Sequence, residues 1–318
     1  MEFPAHNPQT VEMVTQARRF ARREYPVLIQ GESGTGKEYL ARYIHSESAR
    51  TGRFVRLECA TVPTGRWEAE LEQKLAEAEG GTLFLAEVGE LDWQAQTSLL
   101  HLLETPRVNP DAQGGSGRVP VRLIASTTPD LQEHIREELF RETLFYQLGV
   151  IRLRLLPLRE RKEDLEPLTN YILTELNGGE LPALSAEAIS AILLYDWPGN
   201  VRELKNALTQ ALASASGDSA GAIELRHLPE VVAKVLRSEP NLPLFKRYTR
   251  SAEFLLIRWA LSICGGDRTQ TAHFLGLSRA ALYKKLKLYP ELQSHDPAVA
   301  EEPGAYAEGD DEEPEDEL

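Results

Sequence analysis

Residues Gly31 to Leu40 read Gly-Glu-Ser-Gly-Thr-Gly-Lys-Glu-Tyr-Leu, and no other stretch restricts the fold so tightly. Glycines at 31, 34 and 36 let the backbone curl so that successive N–H groups face one point at the start of the following helix. Such a curl needs an apolar strand before it and a helix after it. The flanks supply both: Pro26 to Gln30 predicts a short buried strand, and Lys37 to Ser48 a helix. The loop is a phosphate cradle, with Lys37 adding a point charge between the outer phosphates. Gly31, Glu32, Ser33, Gly34, Thr35, Gly36, Lys37 and Glu38 are therefore candidate nucleotide-binding residues. The strict pattern places Ser or Thr after the lysine to hold magnesium, and Glu38 stands there instead.

A second nucleotide signature follows from Gly80 to Glu90, Gly-Gly-Thr-Leu-Phe-Leu-Ala-Glu-Val-Gly-Glu. An Asp-Glu pair is expected within it; here the pair is Ala86-Glu87. The chain thus carries the loop that binds ATP and lacks a carboxylate that hydrolysis uses.

Further elements are expected as strands at 54–58, 82–85, 119–126 and 150–155, and as helices at 11–23, 67–79 and 93–103. This alternation implies an α/β fold with a parallel, doubly wound sheet. From Arg161 the pattern turns helical, over 164–176, over 185–194 with Ser185 as N-cap, and over 200–215. The expected organisation is an α/β nucleotide-binding part over 1–160, a helical part over 161–237, a linker over 238–245 and a small helical module over 246–290. An acidic, disordered tail is expected over 291–318.

Charge separates these parts. The net charge is −14, yet residues 246–289 hold nine Lys or Arg against Glu253 and Asp267, and residues 290–318 hold twelve Asp or Glu and no Lys or Arg. A basic module between an acidic body and an acidic tail points to nucleic acid as partner of that module alone. The adjacent tail is then a candidate competitor with DNA for the basic module. Two cysteines, Cys59 and Cys264, exclude a disulfide framework and are expected to be small buried side chains. The seven His show no metal-ligand spacing, so no metal site is expected from them. No secretory leader or run of about 20 apolar residues appears, so a cytoplasmic protein without membrane contact is expected.

Within the basic module, Glu253 to Cys264 predicts a helix ended by Gly265-Gly266. Asp267 caps a second helix from Arg268, Gly276 makes a turn, and Ser278 caps a third helix from Arg279. This is a helix-turn-helix, whose last helix enters the major groove of double-stranded DNA. Leu282, Leu286 and Tyr283 are expected to pack inward. Arg268, Ser278, Arg279, Ala280, Lys284, Lys285 and Lys287 are the candidate DNA-binding residues: 278–280 for bases, the three lysines for phosphates.

The two nucleotide signatures, Leu156–Arg161 (Leu-Pro-Leu-Arg-Glu-Arg) and Trp197–Asn206 (Trp-Pro-Gly-Asn-Val-Arg-Glu-Leu-Lys-Asn) together resemble the AAA+ domain of bacterial enhancer-binding proteins, the NtrC-like activators of sigma-54 RNA polymerase. The module over 246–290 is similar to their Fis-type DNA-binding domain. The resemblance implies a nucleotide-binding AAA+ domain with a helical lid. In that family Glu routinely follows the loop lysine. It further implies ATP as cofactor, magnesium at a site weakened by Ala86, and self-association as a dimer or hexamer. Glu87 matches the residue that polarises the attacking water and Arg141 the first arginine finger. The second finger falls on Gln147, the sensor Asn on Thr128, and the lid sensor arginine on Arg202. The Gly-Ala-Phe-Thr-Gly-Ala loop that touches sigma-54 in the family has no counterpart between Ala60 and Glu79. No receiver or sensory segment is expected ahead of the AAA+ segment, which begins within the first dozen residues.

These departures lead to the expectation of an ATP-binding, DNA-binding transcriptional regulator that is independent of sigma-54 and has weak or no ATP hydrolysis. Two alternatives stand beside it. One is a slow ATPase remodelling a transcription-related protein, RNA polymerase included, with Glu90 or another carboxylate compensating for Ala86. The other is a pseudo-ATPase scaffold that partners an intact AAA+ homologue.

Overall fold

The computed structural model describes residues 3–105, 121–216, 222–237 and 250–292. The expected linker at 238–245 and the tail beyond 292 lie outside the described residues, as do residues 119–120 of one expected strand. The chain divides into two units, Met1–Pro243 and Leu244–Leu318.

In the first unit, β1 (Val27–Gln30), β2 (Phe54–Glu58), β3 (Thr82–Ala86), β4 (Arg122–Thr127) and β5 (Ile151–Arg154) form one sheet in the order β2-β3-β4-β1-β5. Every pairing is parallel. Helices must therefore cover both faces, and the central strands are buried throughout, which is why Val27-Leu28-Ile29 and Thr82-Leu-Phe-Leu-Ala86 are nearly unbroken apolar runs. On one face, α1 (Pro8–Ala21) and α2 (Lys37–Glu47) pack Met13, Ala17, Leu40 and Ile44 over Ile29, Phe84 and Ile124. On the other, α3 (Trp67–Glu77) and α4 (Trp93–Leu103) pack Trp67, Leu71 and Leu99 over Leu57, Leu83 and Leu85. Between β2 and β3 the chain holds two short 3-10 turns and α3.

Two short helices that periodicity did not reveal, α5 (Leu131–Arg136) and α6 (Glu142–Leu148), precede β5. The helical part follows as α7 (Leu165–Leu176), α8 (Ala186–Leu194), α9 (Asn200–Ala215) and α10 (Glu230–Arg237). Ser185 caps α8 as expected, accepting from Ala188 N–H. Trp197 is fully buried and its indole N–H donates to Ile192 O at 2.9 Å.

The N-terminal segment is fastened to this helical part through Asp164. The Asp164 carboxylate is fully buried and accepts from His6 N–H at 2.6 Å, Asn7 N–H at 2.7 Å and the Thr10 hydroxyl at 2.7 Å. Asn7 in turn caps α1 through Gln9 and Thr10 N–H.

The second unit contains α11 (Arg250–Ile263), α12 (Arg268–Phe274) and α13 (Arg279–Leu286). Asp267 caps α12 and Ser278 caps α13, while Gly265, Gly266 and Gly276 take positive φ of 58, 84 and 65° at the two turns. Among the described residues no helix is long and apolar enough to cross a membrane.

Candidate functional site

The phosphate loop lies at the carboxyl ends of the parallel strands, where open α/β sheets place their ligands. Gly36 precedes α2 with φ 104° and no side chain caps that helix, so its first N–H groups face outward to an anion. In front of them opens a cavity of about 620 Å³. Ser33, Gly34, Gly36, Lys37, Glu38, Glu87, Thr128 and Arg202 all line it, so eight candidates from four separate sequence segments meet at one place.

Lys37 is held tightly. Its ammonium, 7% exposed, donates to Gly31 O at 2.8 Å, Glu32 O at 3.3 Å and the Thr128 hydroxyl at 2.7 Å, and pairs with Glu87 at 3.0 Å. Glu87 has a left-handed backbone, φ 59°, and its carboxylate accepts from Thr128 N–H at 2.7 Å and from the Thr128 hydroxyl at 3.0 Å. Lysine, glutamate and threonine thus hold one another.

The helical part closes over the loop. Gly34 backs onto Gly199 so closely that a Cβ there would sit 2.3 Å from Gly199 O. Asn200, at φ 54°, donates to Ser33 O at 3.0 Å and Glu32 at 3.2 Å and accepts from Leu158 N–H at 2.7 Å. These contacts, with buried Trp197 at φ 53°, hold a backbone that non-glycine residues rarely adopt. Arg202 donates to Ser33 Oγ at 3.1 Å, and buried Arg161 donates to Thr35 O at 2.7 Å. Arg159 grips Glu32 through two hydrogen bonds, at 2.9 and 2.5 Å, and these hold the Glu32 carboxyl below the usual carboxylate range. Asn200, Arg159 and Arg161 were missed as site residues, although the quoted lid motifs contain all three.

A second, apolar pocket of about 180 Å³ adjoins the cavity and shares Gly36, Val201 and Lys205 with it. Phe3, Tyr39, Tyr171 and Ile172 line it, with Tyr39 edge-on to both Phe3 and Tyr171. Periodicity pointed to none of these aromatics, because they come from three distant segments.

In the second unit, Leu282 and Leu286 are buried as expected. Tyr283 is not: it is 39% exposed, and the Arg268 guanidinium lies 5.6 Å from its ring centre. One residue on from Leu282, it has turned off the packing face, and the Arg268 side chain holds its phenol pKa below the ordinary value. Ser278, Arg279, Ala280, Lys284 and Lys287 are exposed on one module. Lys285 departs from expectation, half-buried and paired with Glu253 at 3.0 Å. Cys59 is buried, which pushes its thiol pKa well up, whereas Cys264 is only half-buried at the end of α11.

Residues 3–154 match the family model of the sigma-54 interaction domain, 159–242 that of the AAA+ ATPase lid domain, and 250–289 that of bacterial regulatory proteins of the Fis family. The transcriptional regulatory protein FlbD of Caulobacter vibrioides is 34% identical over 90% of this chain and 70% of its own length. The chain belongs to the sigma-54-type AAA+ transcriptional regulators. The regulatory protein AtoC of Escherichia coli K12 is 35% identical over 89% of this chain and 67% of its own. Among solved structures, this regulator is similar to NtrX from Brucella abortus in complex with ATP, with TM-score 0.62 and 30% identity over 91% of this chain and 69% of that one. The NtrX complex with ADP gives 0.64 and 29%, over 92% and 70%.

The magnesium site expected to be weakened involves Ala86 and its surroundings. Ala86 ends β3 with a methyl group inside the cavity, and Glu38 accepts from Arg42 at 2.8 Å and lies 3.5 Å from Arg56. Among the described residues no group of three His, Cys, Asp or Glu is placed to hold a metal ion. With Ala86 at the end of β3, and with Glu38 and Glu58 paired with arginines, the residues present fit a magnesium ion poorly. Arg141 stands apart from the cavity, with its guanidinium 3.9 Å from the Trp93 ring centre and donating to Thr97 Oγ1 at 2.8 Å.

Proposed function

We propose that this chain is an ATP-binding, DNA-binding transcriptional regulator that acts independently of sigma-54 and hydrolyses ATP weakly or not at all, nucleotide serving as a structural or regulatory ligand. The observation that carries the reading is the contrast within one cavity. The uncapped start of α2, Lys37 and Arg202 line it and support phosphate binding, while β3 ends in Ala86. The apolar pocket beside Gly36 has the size and aromatic lining for the base. Phosphoryl transfer depends on positioned charge, so a missing carboxylate and an uncharged Gln147 at the second finger position reduce turnover far more than binding. Arg141 packs on Trp93 and Thr97 apart from its own cavity, and a finger acting across subunits would require self-association as a dimer or a hexamer. The short segment between β2 and β3 supports independence from sigma-54, since it has no room for a protruding contact loop beside α3.

For the DNA module, α13 is the recognition helix, with Ser278, Arg279 and Ala280 at its start facing bases and Lys284 and Lys287 facing phosphates. Arg268 stacks on Tyr283 and supports α13, and Lys285 is held by Glu253. Filter binding of the full chain to a selected duplex tests this. Arg279→Ala should weaken the preferred duplex by about tenfold and flatten discrimination between sequences. Lys284→Ala should weaken all duplexes alike and reduce the salt slope by about one per protomer. Saturating ATP should shift DNA affinity by about fivefold or more; an unchanged affinity would contradict the ligand role.

A further inference from the structure

Three of the four carboxylates that line the phosphate cavity, Glu87, Glu38 and Glu58 but not Glu90, are matched with cations from the protein. Glu87 holds Lys37 at 3.0 Å. Glu38, at the position where a strict phosphate loop presents its metal ligand, accepts from Arg42 and lies 3.5 Å from Arg56. Glu58, which the sheet register places directly beside Ala86, is ion-paired with Arg56. Glu38, the residue after the lysine, and Glu58, the register neighbour of Ala86, therefore share one guanidinium.

Arg56 reaches that place for a reason written in β2. Strand residues alternate faces, so Phe54, Arg56 and Glu58 share one face while Val55 and Leu57 are buried on the other. Phe54 stacks on Phe84 with ring centres 5.8 Å apart, which fixes this face towards α2 and the cavity. Arg56, opposite Phe84 in register, then lines the cavity beside Ala86. Its pairs face solvent, with Arg56 47% and Glu38 36% exposed, so exchanging a carboxylate for a phosphate oxygen is cheap. A guanidinium fork also matches phosphate oxygens two at a time, which a lysine cannot do.

We propose that Arg56 supplies the charge that neutralises the nucleotide's polyphosphate in place of a divalent cation, so that this chain binds free ATP as well as it binds the magnesium complex. The inference rests on the nucleotide reading above and extends it to the form of the ligand. Calorimetric titration of ATP into the full chain, in magnesium and in EDTA, tests it with wild type and Arg56→Gln. Wild-type affinity should differ between the two buffers by no more than about twofold, and Arg56→Gln should lose about tenfold or more in EDTA. Arg56 is half exposed and Glu38 keeps Arg42, so the variant's melting temperature should match wild type and report an intact fold. A wild-type affinity that collapses on chelation would overturn the proposal and return the metal to a carboxylate such as Glu90. An Arg56→Gln protein that binds as wild type in EDTA would overturn it equally. No binding by wild type in either buffer would instead overturn the nucleotide reading, and this inference with it.

Discussion

Asp164→Ala should lower the stability of the first unit by about 3–5 kcal/mol, the cost of breaking a buried charge pair from one side. The carboxylate is fully buried, accepts from His6 N–H, Asn7 N–H and the Thr10 hydroxyl, and lies 3.8 Å from Arg161, itself 1% exposed. Removing it strands a buried guanidinium whose pKa burial already lowers, together with two backbone donors that have left water. The loss should reach the phosphate loop, because Arg161 donates to Thr35 O. Urea unfolding followed by tryptophan fluorescence checks the magnitude. A loss below about 1 kcal/mol would mean that water reaches this site and replaces the carboxylate.

Lys37→Ala should reduce ATP affinity by about a hundredfold or more, since it deletes the charge that faces the outer phosphates. The ammonium is held by Gly31 O, Glu32 O, Thr128 and Glu87. Nucleotide must draw it away from these partners, and Thr128 keeps Glu87 in place when it does. The rise in melting temperature that saturating ATP gives wild type, worth about 2.7 kcal/mol at a hundredfold excess over Kd, should vanish in the variant. DNA affinity without nucleotide should stay unchanged, because Lys37 and the helix-turn-helix belong to different units.

The fold was legible in the sequence wherever one physical signal dominated. The five strands stand within a few residues of their expected positions, because buried runs mark β1, β3 and β4 and alternation marks the edge strands β2 and β5. The caps at Ser185, Asp267 and Ser278 lie where expected, since a side chain accepting from the helix's own first turn is a local matter. What was missed is long-range. The helices α5 and α6 are too short to show a period; Leu131, Leu144 and Leu148 become helical by docking on the core that α4 and the sheet provide. Arg56 gave no motif signal, although the alternation Phe54-Val-Arg-Leu-Glu58 already places it with Glu58 on one face. Its meaning comes only from the register that sets Glu58 beside Ala86. Tyr283 and Lys285 were misjudged for a related reason: helical spacing gives direction, but Arg268 and Glu253 decide what each side chain meets.

Phosphate release by the full chain, with and without DNA and beside Lys37→Ala, decides whether this regulator holds ATP without turning it over efficiently. Calorimetry on the same preparation should show ATP bound by wild type while phosphate release stays at the level of the variant. Clear turnover that depends on Lys37 would contradict the account and mean that another group does the work of the aspartate missing at Ala86.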